Sequence, residues 1–498
     1  MMIVRVPLIK VYSNHTFITI KVYLGNTFII DKNVKFRTFI RETFVHSINF
    51  CKFAVKLITK SLHNMERTAF KQLAEWKAAT DRKPLIIKGA RQTGKTWLMK
   101  EFGRRSFADT IYINFEYEKR FKDLFVEDFD TQRIISTIEL YHGKRIDAAN
   151  TLIIFDEIQA VEGGVTALKY FCENAPQYAV VAAGSLLGIA MHENRSFPVG
   201  KVNFLELHPM TFGEFLLAIG KELMYNALTE CQWNILKTFH DELIRLVRTY
   251  MVIGGMPEVV QKWVDTQDYF AVRDKQRDIL NSYQADFSKH IPDLQVPRVS
   301  MVWDSLPAQL SKENKKFIYG VLREGARAKD FELAIMWLIN CGLILKSQRV
   351  EVPKMPLKAY QDSAVFKLYM VDTGLLCAAT GLSFDVVADG GRVFTEFKGA
   401  ITEQFVMQEL TALNCDYIGY WTNERSTSEV DFVIQRDGHA VPIEVKAGEN
   451  LQAKSIAFFC QKYQPDYACK ISALPYNQTN NVYNFPLYGF MFGLGKMR

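Results

Sequence analysis

The chain has 498 residues, of which 48% are hydrophobic and 23% charged, a composition ordinary for a globular protein and a length that exceeds one compact core, so about two to four domains are expected. Eight scattered cysteines without a C-x-x-C pair exclude a disulfide framework and a cysteine zinc site, and they point to a reducing, cytoplasmic setting. The formal charge of +7 resides in residues 1–64, which carry ten Lys/Arg against two Asp/Glu; the remaining chain balances at −1, so global charge gives no support to a nucleic-acid partner.

No stretch reaches the roughly 18 uncharged apolar residues of a membrane helix, so no membrane partner is expected. Residues 1–64 read as basic, β-prone sequence, with strands at Thr16–Tyr23 and Thr27–Asp31 around a Gly25-Asn26 turn. Met65-Glu66-Arg67 opens an amphipathic stretch, so one reading of residues 1–64 is a non-native extension from an upstream start codon.

From Pro84 short apolar runs alternate with helical stretches: Pro84–Lys88, Thr110–Phe115, Thr151–Phe155, Tyr178–Ala183 and Val202–Leu207. Runs that are apolar at every position are buried on both faces, which predicts a parallel sheet covered by helices. The pattern then turns helical over Met210–Gly220, and Thr229–Val252 reads as one long amphipathic helix with Thr229 as a candidate N-cap, stopped by Gly254-Gly255-Met256-Pro257. Asp268–His290 is a charged helix broken by Pro292–Pro297. Three short apolar-periodic segments follow, Trp303–Leu310, Lys315–Leu322 and Asp330–Asn340, and then a strand pair, Leu343–Val352 and Phe366–Val371. That is the order of a winged helix-turn-helix, a DNA-binding arrangement, although no basic cluster marks Asp330–Asn340. From about Phe384 the chain is α/β again, with a helix at Thr395–Leu413, strands at Tyr417–Trp421, Glu429–Gln435 and Ala440–Lys446, and a helix near Gln452–Tyr463.

Gly89-Ala90-Arg91-Gln92-Thr93-Gly94-Lys95-Thr96 fits G-x-x-x-x-G-K-[ST] between a predicted strand and a predicted helix. Glycines at these positions let backbone N–H groups surround phosphate oxygens; Lys95 would reach the β- and γ-phosphates of ATP, and Thr96 would offer a hydroxyl to Mg²⁺. Leu152–Asp156 then reads as an apolar strand ending in Asp156-Glu157, with Asp156 placed for the magnesium shell and Glu157 for polarising the attacking water. A further strand ends in Gly184-Ser185, where Ser185 is either a sensor of the γ-phosphate or a helix N-cap. Arg195 and Lys201 are the nearest downstream cations for stabilising a transition state.

Near the C-terminus Asp437-Gly438 is a two-residue hairpin signal. With these two residues as the turn, Asp431 stands opposite Glu444 and Glu429 opposite Lys446, all on one face, while Val430, Phe432, Ile434, Ile443 and Val445 form the core face. A solvated polar face with a Glu429–Lys446 salt bridge is one reading. The other is a Mg²⁺ site, since two carboxylates directly opposite repel unless a cation lies between them.

The combination of GARQTGKT, LIIFDEIQ, AAGSLLG, VNFLELHPMTFGEFL, GGMPEVV and a terminal EVDFVI…IEVKAG resembles a widespread group of prokaryotic AAA-type P-loop ATPases with a C-terminal domain of unknown function related to the PD-(D/E)XK nuclease fold. The likeness covers residues 65–498, and residues 1–64 have no counterpart in it. It implies an α/β protein: a P-loop ATPase domain at 65–215, a helical region at 216–300, a winged-helix-like region at 301–383 and a PD-(D/E)XK-like domain at 384–498. It also implies that Glu403, Asp431 and Glu444 match metal-binding positions, with Asp431, Glu444 and Lys446 matching catalytic ones. Where that group's pattern carries arginine after glycine ahead of the FLEL segment, this chain has Gly200-Lys201. The expected function is an ATPase whose nucleotide state controls a winged-helix and nuclease-like module acting on DNA. The alternative is a signalling or defence switch with a catalytically silent nuclease-like fold that binds a protein partner or a second copy of itself.

Overall fold

The computed structural model describes residues 65–184, 198–312, 315–382, 392–423, 428–447 and 454–497, without the side chains of 392–396, together with the backbone of three strands nearer the N-terminus. The chain divides into two compact units, residues 1–64 and 65–498. In the first, β1 (Leu8–Asn14), β2 (Phe17–Leu24) and β3 (Thr27–Lys35) form an antiparallel meander. The expected Gly25-Asn26 turn lies outside the described residues.

The second unit begins with a five-stranded sheet built from β4 (Leu85–Lys88), β5 (Asp109–Asn114), β6 (Thr151–Asp156), β7 (Ala179–Ala183) and β8 (Asn203–Glu206), in the order β5-β6-β7-β4-β8. Every ladder in it is parallel. Alternate residues feed two separate cores: Ile86, Ile153, Phe155 and Val180 on one face, and Leu85, Ile87, Leu152 and Ile154 on the other. This double burial is why the strands carry no polar alternation. Because β7 lies between β4 and β6, with Ala183 level with both Ile87 and Asp156, the loop after β4 and the acidic end of β6 open onto the same edge of the sheet.

The helical region departs from expectation at Thr229. Instead of one helix over Thr229–Val252, a helix at Glu222–Thr229 ends there, a short turn of helix follows at Trp233–Leu236, and His240–Ile253 forms the long helix. Cys231 takes a left-handed conformation (φ 57°), and Trp233 stacks on Tyr476, ring centroids 4.9 Å apart. Packing against the C-terminal strands outweighs local helix propensity at this point. The helix Tyr269–His290 follows as expected, capped by Asp268, and Pro297 occupies the first turn of the next helix, Val296–Leu310, where its missing N–H costs nothing.

The expected helix over Lys315–Leu322 is instead an extended segment with a single 3₁₀ turn at Tyr319–Val321; Phe317 donates its N–H to Phe366 O at 2.8 Å. After the helix Ala328–Asn340, β9 (Ile344–Val350) and β10 (Gln361–Met370) pair as a hairpin, but not as an isolated wing. They belong to an eight-stranded mixed sheet with β11 (Tyr417–Thr422), β12 (Glu429–Arg436), β13 (His439–Lys446), β14 (Ala468–Ser472), β15 (Asn477–Thr479) and β16 (Val482–Pro486), in the order β10-β9-β11-β12-β13-β14-β16-β15. The helix Arg392–Ala412 is fastened to β10 by Gln404, whose side-chain amide bonds both Met370 N (2.9 Å) and Met370 O (2.6 Å). Among the described residues no helix is long and apolar enough to cross a membrane.

Candidate functional site

Two constellations stand out, one at the edge of the parallel sheet and one on the face of the mixed sheet. The first is the loop of residues 89–94 between β4 and the helix Lys95–Ser106. Gly89 has φ 140°, and a Cβ there would lie 2.2 Å from Leu207 O at the end of β8, so only glycine lets the chain leave β4 in this direction. Lys95 is buried and folds back on its own loop, its Nζ donating to Gly89 O (2.9 Å) and Ala90 O (2.8 Å). Burial pushes its ammonium down to about 8, against the pull of Glu157 and Asp156, which both act on it. Thr93 caps the loop internally through Ala90 O at 2.8 Å.

The end of β6 brings Asp156 to this loop. Its Oδ2 accepts from Thr96 Oγ1 at 2.8 Å and from the Tyr112 hydroxyl at 2.9 Å. Burial raises the Asp156 carboxyl, and those two hydrogen bonds oppose the rise. A hydroxyl and a carboxylate held side by side are the donors that an octahedral Mg²⁺ shares with nucleotide phosphates and water, so this pair fits that ion. Glu157 takes a left-handed conformation (φ 51°), and its Oε2 accepts from Gln159 Nε2 at 2.6 Å. It lines a cavity of about 440 Å³ together with Arg91, Phe115, Glu116 and Lys289.

Several loop contacts come from residues with no motif to announce them. Arg67 is buried beneath the loop, donating to Thr93 O (3.0 Å), His208 O (2.6 Å) and Glu214 Oε2 (3.1 Å). Glu214 in turn completes a capping box with Thr211; the Thr-x-x-Glu spacing marks that box in the sequence, whereas nothing marks Arg67. From the helix Tyr269–His290, Tyr283 donates to Arg91 O at 2.8 Å, Ser282 accepts from Gln92 Nε2 at 2.7 Å, and Asp286 pairs with the Arg91 guanidinium. Gly342 (φ 71°), after the helix Ala328–Asn340, approaches so closely that a Cβ would lie 3.1 Å from Ala90 N.

Ser185 and Arg195 lie outside the described residues. Lys201 precedes β8, whose Asn203 is level with the first residue of β4, and it pairs with Glu173 at 3.0 Å. It therefore occupies the edge of the sheet opposite the phosphate loop and does not serve as the transition-state cation expected of it.

The second constellation gathers Glu403, Glu429, Asp431, Glu444 and Lys446. Asp437 (φ 48°) and Gly438 (φ 84°) form the turn, and pairing of Phe432 with Ile443 and Gln435 with Ala440 is the register this turn dictates. The ion pairs differ from the expected ones. Lys446 pairs with its own strand neighbour Glu444 at 2.7 Å, and Glu429 pairs at 2.6 Å with Lys367, a fully buried lysine of β10. Lys367 also lies 3.1 Å from Glu403, which is further engaged by Lys315 on its other oxygen and by the Tyr369 hydroxyl. Burial would raise Glu403, but Lys315 and Lys367 outweigh it and hold the carboxyl down to about 2.

Glu403, expected as a metal ligand, thus has both oxygens committed within the protein. Asp431 accepts from Val445 N at 2.8 Å through Oδ2, and burial together with repulsion from Glu403 and Glu444 pushes it up to about 7. Glu444 is raised by burial, and its Oε2 is buried with no hydrogen-bond partner. Among the described residues no group of three or more His, Cys, Asp or Glu side chains is arranged to hold a metal ion. Two carboxylates remain, Asp431 and Glu444, and a pair of this kind fits a Mg²⁺ ion only if water or a phosphate completes the shell.

Comparison with known proteins agrees with the first constellation. Residues 81–216 match the family model of an AAA domain, and the phosphate loop and the acidic end of β6 both fall within that match. Residues 244–385 match a domain of unknown function (DUF8612), and residues 398–488 match another (DUF4143). A search of curated proteins finds no match. Among solved structures the chain is similar to a Walker-type ATPase of Pyrococcus abyssi (TM-score 0.40, 12% identity, 64% of this chain and 96% of that one). It is also similar to the ORC1 protein of Aeropyrum pernix in complex with DNA (TM-score 0.27, 13% identity, 63% and 92%). A third is CDC6P from Pyrobaculum aerophilum (TM-score 0.22, 10% identity, 62% and 89%).

Proposed function

We propose that this protein is a Mg²⁺-dependent ATPase used as a switch, in which the nucleotide state of the phosphate loop sets the arrangement of the helical region and C-terminal sheet. The observation that carries this reading is the grip of one helix on the loop: Ser282, Tyr283 and Asp286 hold Arg91 and Gln92. When ATP binds, Lys95 exchanges the carbonyls of Gly89 and Ala90 for phosphate oxygens, the loop rearranges, and the residues that hold it move with it. Thr96 and Asp156 would hold a magnesium ion, whose charge would offset that of the phosphates, and Glu157 would take the proton of the attacking water.

The coupling has a further route into the C-terminal half. Glu409 on the helix Arg392–Ala412 accepts from Phe212 N at 2.9 Å, at the start of the helix that carries Glu214. A shift of Glu214 through Arg67 therefore bears on the helix that packs over the mixed sheet.

For that C-terminal half the lysines favour partner recognition over cleavage, since Lys315 and Lys367 neutralise Glu403 from within. A second reading, Mg²⁺-dependent cleavage of DNA by Asp431, Glu444 and Lys446, is favoured by one observation: the buried and unpartnered Glu444 Oε2 facing a carboxyl that repels it. The experiment compares wild type, Lys95→Ala and Asp431→Ala/Glu444→Ala for ATP hydrolysis and for cleavage of double- and single-stranded DNA with Mg²⁺. Hydrolysis lost only in Lys95→Ala, without cleavage by any of the three proteins, supports the switch. Cleavage lost in the double variant with hydrolysis retained establishes the nuclease. Absence of hydrolysis in the wild type refutes the ATPase switch, and absence of cleavage in all three proteins refutes the nuclease.

A further inference from the structure

The site as described has residues that would hold magnesium, a phosphate lysine and a carboxylate for water, but no assigned cation to offset the charge that develops on the γ-phosphoryl oxygens. Lys201 is at the wrong edge of the sheet. The cavity beside Glu157 is lined by three basic side chains, Arg91, Lys289 and His290, of which His290 is pushed toward its neutral form by burial and by Lys289. Lys289 pairs with Glu116 at 3.1 Å at the rim, with more than half of its side chain exposed. Arg91 belongs to the phosphate loop itself, four residues before Lys95, and its charge acts on Lys95, while Glu157 and Asp286 act on it.

We infer that Arg91 is the catalytic cation of this ATPase, supplied in cis by the phosphate loop, and that Asp286 of the helical region is its positioning residue. The inference rests on the ATPase reading given above. Three features of the geometry support it. Arg91 and Glu157 line one cavity, so a guanidinium and the carboxylate next to the Mg²⁺ ligand Asp156 face the same space. Gln92 adopts a left-handed conformation (φ 67°), a reversal that a non-glycine residue takes up only when its surroundings hold it, and the Gln92–Ser282 bond supplies that hold. Finally, Arg91 is fixed at both ends, its carbonyl by Tyr283 and its guanidinium by Asp286, three residues apart on one helix face.

In the reaction, water adds to the γ-phosphorus while the bond from that phosphorus to the bridging oxygen breaks; the bridging oxygen leaves with the electron pair as part of ADP, and Glu157 takes the water proton. Arg91 donates N–H groups to the equatorial oxygens, where charge is spread in the transition state. Because Asp286 fixes only one side of the planar guanidinium, its remaining donors stay available to phosphate. The helical region thereby sets the rate of hydrolysis through one ion pair, and the switch and its timer share a residue.

The test measures steady-state ATP hydrolysis and ADP affinity with the full chain, the latter with and without aluminium fluoride, which mimics the transferring phosphoryl group. Arg91→Ala is expected to lower kcat by about 10²- to 10³-fold, the loss typical of one preorganised transition-state donor, with the KM for ATP little changed. The tightening of ADP by aluminium fluoride is lost in the same variant. Asp286→Asn gives a smaller loss of kcat with the same signature, and Arg91→Lys, which keeps the charge but not the fork, falls between wild type and alanine. Circular dichroism of Arg91→Ala checks its fold, and Arg91→Lys carries the test should the alanine variant misfold. A wild-type kcat in Arg91→Ala, or a loss of ADP affinity as large as the loss of kcat, overturns the assignment. Wild-type protein that binds ATP without hydrolysing it overturns the ATPase reading instead, and the two failures are told apart by that control.

Discussion

Tyr283 donates its hydroxyl to the backbone carbonyl of Arg91 at 2.8 Å, across 192 residues of sequence. Its ring is buried edge-on against Trp303, centroids 6.0 Å apart, so the phosphate loop is tied to the core of the helical region and not to a surface side chain. A loop that moves on binding nucleotide must break this bond or carry the helix with it.

Removing the hydroxyl in Tyr283→Phe leaves the Arg91 carbonyl without this partner at little change in volume. The expected cost is about 0.5–1.5 kcal/mol of stability, the net worth of a typical intramolecular hydrogen bond, since the bond is only partly buried. Urea denaturation monitored by tryptophan fluorescence gives the value; an unchanged midpoint would mean that the carbonyl is satisfied elsewhere.

Glu157→Gln keeps the size of the side chain and its bond to Gln159 but removes the base. Turnover should fall by about 10²- to 10⁴-fold while ATP still binds, and chelation of Mg²⁺ should abolish turnover in the wild type as well. Rapid-quench hydrolysis beside a fluorescent-nucleotide titration separates the two effects. Retained turnover would move the proton acceptor to another group.

Lys367 is fully buried between Glu403 and Glu429. Lys367→Met leaves Glu429 without its ion-pair partner and Glu403 with Lys315 alone, at an expected cost of about 3–5 kcal/mol. Adding Glu403→Gln to Lys367→Met should recover part of that loss, and chemical denaturation of the single and double variants closes the comparison. Equal stability of Lys367→Met and wild type would show the lysine to be dispensable for the fold.

Stability should also depend on pH through Glu409. Burial pushes this carboxyl from 4.5 up to about 8. Below about 4.5 it is protonated in folded and unfolded chains alike; between about 4.5 and 8 only the folded chain keeps the proton, so stability declines as pH rises through this window, and above it no further change comes from this group. Asp372 and Asp431 are raised in the same direction, to about 6 and about 7, so the total slope is shared. Glu409→Gln should flatten only the part that reaches to about 8, read as the difference between melting temperatures of variant and wild type at pH 6 and pH 8.5. Parallel curves for the two proteins would contradict this.

The phosphate loop and the acidic end of β6 were legible in the sequence because both are encoded by spacing within a few residues and by one strand each. The β12–β13 register was legible from Arg436–His439 to Phe432–Ile443 for a similar reason: a two-residue turn sets the cross-strand neighbours that follow it. What local pattern could not show was any partnership that depends on distant chain segments meeting. Arg67 meets Glu214 across 147 residues, and Phe212 meets Glu409 across 197. Lys367 lies in an apolar strand, Phe366-Lys367-Leu368-Tyr369, and only the arrival of Glu403 and Glu429 explains a charge there. The same blindness affected the helix expected over Thr229–Val252, since the aromatic contact that interrupts it at Trp233 comes from Tyr476.

The mixed sheet also determines where this chain can be cut. β9 is flanked by β10 on one side and by β11 on the other, with Gly419, Tyr420 and Trp421 level with Gln348, Arg349 and Val350. Ending a truncated protein at residue 383 strips β11 from β9 and uncovers a row of backbone donors and acceptors, the kind of open border to which other strands add and from which aggregates grow. A soluble fragment of the ATPase half would therefore have to stop before Ile344 or retain the strands through β16.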